Sequence, residues 1–211
     1  MFYLTKTPKW VSKLFTGSIW QMAREPKAIY LTFDDGPHPL VTSFVLDELD
    51  KFNAKATFFC IGKNVVEHPG IYKKILKRGH TVGNHTHTHL NGWKTENAKY
   101  LQNILEARKY IDSDLFRPPY GRMSRKQRKQ LQQLNEPFTV VMWSVLSGDF
   151  DVNTTPEQCL QTVLKNAESG SVIVFHDSEK AYERLRYALP AVLTYFSEQG
   201  YQFESIAGKP K

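Results

Sequence analysis

Apolar and polar positions along this chain fall into blocks whose period switches between that of strands and that of helices. Residues 28–33 are a compact apolar run of strand character, and Phe44, Val45, Leu49 and Phe52 then recur at helical spacing across 41–52. Residues 56–61 form a second strand-like run. Residues 71–77 predict a basic helix closed by Gly79, a residue suited to the helix stop. Residues 80–83 predict a short strand, and 96–111 a helix with Tyr100, Ile104, Ala107 and Ile111 along one side. The second half repeats the rhythm. Residues 115–117 predict a strand running into Pro118-Pro119-Tyr120-Gly121, and Ser124 is placed to cap a helix reaching Leu134. Residues 138–143 are rich in β-branched and aromatic side chains. Thr155-Pro156 opens a helix to Ala167, with proline at the first helical position. Residues 171–175 predict a strand, 182–197 a helix kinked at Pro190, and 201–206 a last strand.

Strands alternating with helices predict a parallel α/β architecture, and about seven strand–helix pairs or part-pairs suit closure into a barrel. Residues 1–26, with Trp10 and Trp20, read as a lead-in. Residues 27–211 read as one catalytic unit without linker, repeat or low-complexity stretch. In folds of this kind functional side chains gather at the C-terminal ends of strands. The polar clusters fall there: Asp34-Asp35, His85 to His89, Arg117, Asp149 and His176.

Composition narrows the picture modestly. With 211 residues, 41% apolar and 23% charged, the chain supports one hydrophobic core. A net charge of +7 favours anionic partners. The densest basic run, Arg122 to Lys129, carries no nucleic-acid motif and reads as the solvated face of a helix, so no nucleic-acid partner is expected. Two cysteines make no disulfide framework, and Cys60, inside the apolar run 57–61, reads as a small core residue. The N-terminus lacks the pattern of a signal peptide, and no stretch approaches the ~20 apolar residues of a membrane span. The default expectation is therefore a cytoplasmic protein, with a surface or extracellular one if a leader has been trimmed. No protein partner is predicted.

Two clusters carry chemistry. In Thr32-Phe33-Asp34-Asp35-Gly36-Pro37, adjacent carboxylates at a strand end repel unless a positive group sits nearby. A metal would let one bind and leave the other free as a base; the same residues also suit a plain turn. In His85-Thr86-His87-Thr88-His89, the first and last histidines are four apart, so one helical turn would put them on one face. Imidazoles suit zinc and neighbouring transition metals. His87 has the wrong spacing to join them, and His80 reads as a structural histidine at a strand start.

Thr32-Phe33-Asp34-Asp35-Gly36-Pro37, His85-Thr86-x-x-His89, Arg117-Pro118-Pro119-Tyr120-Gly121 and Val174-Phe175-His176-Asp177 resemble, in order and spacing, the motifs of the polysaccharide deacetylases (NodB homology domain, carbohydrate esterase family 4). The resemblance covers about residues 27–206. It implies a distorted (β/α) barrel, one divalent metal, most often zinc with cobalt, nickel or manganese as alternatives, and removal of an acetyl group from an N-acetylated, sometimes O-acetylated, carbohydrate. Carried over residue by residue, it implies Asp35, His85 and His89 as metal ligands, Asp34 as general base and His176 as general acid. The Tyr120 N–H beside Pro119 would meet the oxyanion, and Arg117 would orient Asp34. Asp149, Phe150 and Val174 would lie in or behind the acetyl pocket.

One motif departs from the pattern. Where the family reads Asp-x-x-Asp-Trp, this chain has Leu146-Ser147-Gly148-Asp149-Phe150. The resemblance implies that the first Asp orients the catalytic histidine, so His176 is left to pair with Asp149, Asp151 or Asp177. Other readings are the same site acting on an O-acetyl ester or a non-sugar amide, and a non-catalytic sugar-binding relative.

Overall fold

The computed structural model describes residues 3–14 and 17–207; residues 1–2 and 15–16 of the expected lead-in and 208–211 of the expected catalytic unit lie outside them. The chain opens with α1 (Lys9–Leu14) and a two-residue strand β1 (Ser18–Ile19). It then enters the alternating series β2 (Ala28–Asp34), α2 (Val41–Lys51), β3 (Thr57–Cys60), α3 (Gly62–Glu67), α4 (Pro69–Lys77), β4 (Thr81–Asn84) and α5 (Asn97–Arg108). The second half comprises β5 (Leu115–Phe116), α6 (Arg125–Gln132), β6 (Thr139–Val141), β7 (Val145–Leu146), α7 (Pro156–Asn166), β8 (Val172–His176), α8 (Tyr182–Glu198) and β9 (Gln202–Phe203).

The strands form one curled sheet in the order β1-β6-β5-β4-β3-β2-β8-β7, with β9 paired to the start of β2. All the named strand pairs are parallel. This is the expected distorted (β/α) barrel, with nine strands among the described residues where periodicity predicts about seven. The two additions, β1 and β7, are two residues each, too short to leave a period-2 signal. The expected last strand contracts to two residues, and α8 runs through Pro190 as one helix.

The lead-in is part of this sheet. β1 lies parallel to β6. Lys6 bridges Val145 in antiparallel sense, Leu146 N–H donates to Thr5 O at 2.8 Å, and Thr7 N–H donates to Ser144 O at 2.9 Å. Residues 5–7 therefore strap the seam where β6 leads into β7.

The two faces of the strands explain why they read as near-continuous apolar runs. Ile29, Leu31 and Phe33 of β2 pack outward with Val45, Leu46 and Leu49 of α2 and with Leu185, Leu189 and Val192 of α8. Tyr30, between them, joins a separate inner cluster with Phe59, Leu115, Val141 and Val172. Phe33 stacks on Phe58 and Phe175, with centroids 5.1 and 6.2 Å away, tying three adjacent strands directly behind Asp34. Emptying such a site, as in Phe33→Ala, costs about 3–5 kcal/mol. Both helices with a Ser or Thr cap begin as their sequences dictate: Ser124 and Thr155 each form a capping box, with Gln127 and Gln158.

Candidate active site

The inner apolar cluster fills one end of the barrel, and polar side chains occupy the other, at the C-terminal ends of β2, β4, β5 and β8. Strand register sets the first pair. Asp34, the last residue of β2, lies opposite His176, the last residue of β8. One layer lower, Thr32 is level with Val174, which is itself level with Leu146.

Arg117 crosses this interior fully buried, and each of its three side-chain nitrogens donates a hydrogen bond. Nη1 donates to Asp34 Oδ1 and to Thr32 Oγ1, both at 2.7 Å; Nη2 donates to Met142 O and Nε to Val141 O. Its guanidinium lies over the Phe59 ring at 4.1 Å. A buried charge with a carboxylate partner and an acceptor at every nitrogen is the arrangement in which burial is tolerated.

Beside this pair, Asp35, His85 and His89 each turn one ligand atom inward, all within 4.8 Å of one another. The expected helical turn across 85–89 is not present: these residues form a loop in which Thr86 (φ 66) and His89 (φ 57) are left-handed. A helical turn would leave its amides to helical partners. Here the Asn103 side chain accepts from the His87 and Thr88 N–H groups, and Asn84 Oδ1 accepts from Thr86 N–H at 2.8 Å. The loop still delivers both histidines to one point, with ring centroids 5.1 Å apart. His87 points the other way and stacks on Tyr110. Of the five described non-glycine residues with positive φ, four are here: Asp35, Thr86, His89 and Tyr120, with Asn53 the fifth. Such conformations cost about 1–3 kcal/mol each and persist where surrounding bonds enforce them.

The donor set fits a divalent metal. Asp35 Oδ1 is buried without a hydrogen-bond partner, 3.1 Å from His89 Nε2 and 3.7 Å from His85 Nε2. Burial would raise the Asp35 pKa, but His89, His176 and His85 together hold its carboxyl well below the usual range. Burial pulls the His85 imidazole down to about 4 against the opposing charges of Asp34 and Asp35, which keeps it neutral. Its Nδ1 lies 2.8 Å from Arg117 O, and a proton donated there leaves Nε2 free as a ligand.

Asp177 holds the turn that carries Asp35. It accepts from Gly36 N–H at 3.0 Å and from the Thr42 hydroxyl at 2.5 Å. A Cβ on Gly36 would lie 2.0 Å from Asp177 Oδ2, so only glycine fits. Asp149 holds His176: Oδ1 meets the ring Nδ1 at 2.8 Å and Oδ2 accepts the backbone N–H at 2.7 Å. Burial lowers the His176 pKa, but the charge and hydrogen bond of Asp149, with Asp35 and Asp34 behind it, raise it on balance to about 9. Leu146 therefore does not leave His176 unpaired, and of the three candidate partners Asp149 is the one in contact. Arg184 fixes that loop by donating to Asp149 O at 2.6 Å and to Lys180 O.

The remaining expected residues border the same space. Tyr120, exposed and left-handed (φ 60), sits in a 3-10 turn after the buried Pro119, its ring edge-on to His89 at 4.7 Å. The Phe150 ring is 5.2 Å from His176 and 5.0 Å from Tyr3. Val174 is buried beneath His176. His80 is buried at a strand start, where its Nδ1 accepts from Ala56 N–H, and Cys60 and Cys159 are free and buried. Periodicity gives no signal for Asn103 or Tyr3, whose partners are distant in sequence.

A parallel (β/α) barrel whose strand ends carry a paired Asp–His and an Asp-His-His cluster defines a class of hydrolase, and sequence similarity gives its family. A sequence model of polysaccharide deacetylases matches residues 21–138, more than half of the chain. The chain belongs to this family of carbohydrate deacetylases. It is 34% identical over 194 residues to a peptidoglycan-N-acetylglucosamine deacetylase of Bacillus cereus, covering 89% of this chain and 90% of that one. It is 33% identical over 190 residues to a peptidoglycan-N-acetylglucosamine deacetylase of Listeria monocytogenes, covering 87% of this chain but 39% of that protein. A crystal structure of a peptidoglycan N-acetylglucosamine deacetylase in complex with 4-naphthalen-1-yl-N-oxidanyl-benzamide superposes with a TM-score of 0.85. It shares 31% identity, and 95% of each chain is covered.

Proposed function

We propose that this chain hydrolyses the acetamide of N-acetylglucosamine units in peptidoglycan, releasing acetate and leaving the free sugar amine. The observation that carries the reading is the register pairing of Asp34 with His176 beside the Asp35, His85 and His89 cluster. Peptidoglycan is the substrate named for the relatives in Bacillus cereus and Listeria monocytogenes.

Asp35, His85 and His89 would hold one divalent ion, zinc by the chemistry of the donor set. When bound, such an ion supplies Lewis-acid polarisation of the acetyl carbonyl and acidifies water. Asp34 accepts the proton of the attacking water. Arg117 engages its Oδ1 and leaves Oδ2 facing His85 at 4.0 Å. The Tyr120 N–H donates to the oxyanion as the carbonyl carbon becomes tetrahedral. His176 delivers a proton to the departing nitrogen, which cannot leave as an anion. Leu146, Val174 and Phe150 give the methyl group an apolar boundary. Peptidoglycan lies outside the plasma membrane, so this substrate places the reaction there rather than in the cytoplasm expected by default. Among the described residues no helix is long and apolar enough to cross a membrane.

The test is acetate release from peptidoglycan fragments, chitin oligomers and an aryl acetate, with metal-stripped protein before and after zinc or cobalt is restored. Metal-dependent release from peptidoglycan fragments is expected, and Asp34→Asn should keep its metal while losing about 10²–10⁴-fold in rate. Release from the aryl ester alone would transfer the site to ester substrates. Full activity in Asp34→Asn would remove Asp34 as the base.

A further inference from the structure

We propose that Trp93 and Arg122 form a subsite for a carboxylate-bearing sugar next to the reacting N-acetyl sugar; the proposal rests on the sugar-deacetylase reading above. Trp93 is 66% exposed, in a 3-10 turn (Gly92–Lys94) that follows His89 by a few residues. Single exposed apolar side chains are ordinary. The way this one is held is not. Asn91 Oδ1 accepts from Trp93 N–H at 3.0 Å, and the Thr95 hydroxyl donates to Asn91 O at 2.8 Å. Gln127, only 2% exposed, sends its amide to Gly92 O at 2.9 Å and Thr95 O at 3.2 Å. Gly92 N–H donates to Arg122 O, and a Cβ on Gly92 would lie 2.5 Å from that oxygen. A buried amide, a required glycine and a capped turn are thus assembled around an indole that itself contributes little to the core.

The second observation concerns charge. The Arg122 guanidinium lies 5.1 Å from the indole centroid, and among the described residues no carboxylate pairs with it. It lies over the ring of an indole that stays mostly exposed, which leaves surface on which a pyranose can stack. Lys94, next to Trp93 in sequence, and Arg125 and Lys126, at the start of α6, are exposed, with Glu96 the acidic residue nearest Trp93 in sequence. The Ser124 hydroxyl, 3.3 Å from Asn97 Oδ1, ties the start of α6 to that of α5. Arg122 follows Tyr120 by two residues, Trp93 follows His89 by four, and the Tyr120 ring packs edge-on to His89, so the pair sits on the two loops that border the Asp35, His85 and His89 cluster. Stacking alone would serve a neutral glycan. A guanidinium with no carboxylate of its own adds recognition of an acidic one, in the planar, two-point manner that arginine favours.

The experiment measures binding and kcat/KM for the zinc-loaded protein on glycan strands carrying carboxylate sugars and on neutral N-acetylglucosamine oligomers. The variants are Trp93→Ala, Trp93→Phe and Arg122→Gln. Trp93→Ala should weaken binding of both polymers about tenfold, with Trp93→Phe restoring most of it. Arg122→Gln should weaken the acidic strand about tenfold more than the neutral one and flatten its salt dependence. Unchanged affinities in Trp93→Ala and Arg122→Gln, or equal effects of Arg122→Gln on both polymers, would overturn the subsite. Strand binding that depends on Arg122 without any acetate release would keep the subsite and overturn the deacetylase reading instead.

Discussion

Asp149 grips His176 twice, at the ring and at the backbone, so of the carboxylates that hold the proton on that ring it is the one in direct contact. With the imidazole raised to about 9 from 6.5, the stabilisation it gives the fold is complete below the free value and is lost as pH rises through the raised one. The proposed acid follows the same limb. Asp149→Asn should move the alkaline fall of kcat/KM from about 9 toward 6.5, read as a pH profile of the zinc-loaded enzyme. A limb that stays in place would detach Asp149 from the acid. His176→Ala should slow the acetamide far more than an activated ester, whose leaving group needs no proton; equal losses would remove His176 from that role. The sequence identifies Asp34, Asp35, His85, His89, Arg117 and His176 as strand-end groups, and the structure gathers them. It leaves the partner of His176 open, because Asp149, Asp151 and Asp177 all fall at strand ends and sequence does not rank them. The choice is made by distant contacts: Asp177 is committed to Gly36 and Thr42, Asp151 to Asn153, and Arg184 anchors the Asp149 carbonyl.

At the scale of elements, the alternation of strands and helices is legible because each long element has a buried stripe of its own. The loop 85–89 is not. Four-residue spacing is compatible with a helical turn, and what prevents one is a side chain from α5. Asn103 receives two amides of the loop and donates to the Thr88 hydroxyl at 3.0 Å. Asn103→Ala should therefore loosen the histidine loop and lower zinc affinity about tenfold with little change in global stability, measured by metal titration beside thermal melting. Unaltered affinity would show that the left-handed residues Thr86 and His89 hold the loop unaided. Tyr120 has a comparable limit: its motif is plain in the sequence, whereas its positive φ belongs to a turn in which Gly121 N–H donates to Pro118 O and Arg122 N–H to Pro119 O.

At the scale of the molecule, the barrel is closed by a segment that periodicity reads as a lead-in. Residues 5–7 bond to β7 and to the connection before it, and Tyr3 reaches Thr154 and packs at a tilt against Phe150, which packs on His176. Removing residues 1–7 should destabilise the fold by about 1–3 kcal/mol and reduce acetate release from amides more than metal binding. A truncated protein with unchanged melting and turnover would assign the strap no part in either. The consequence reaches into how relatives of this chain are delimited. The match to the family's sequence model begins at residue 21, beyond both the strap and β1. A fragment trimmed to that point would retain Asp34, Asp35, His85, His89, Arg117 and His176, yet leave β6 and β7 with raw edges. The stretch that the family's sequence model matches is shorter than the stretch that finishes the barrel.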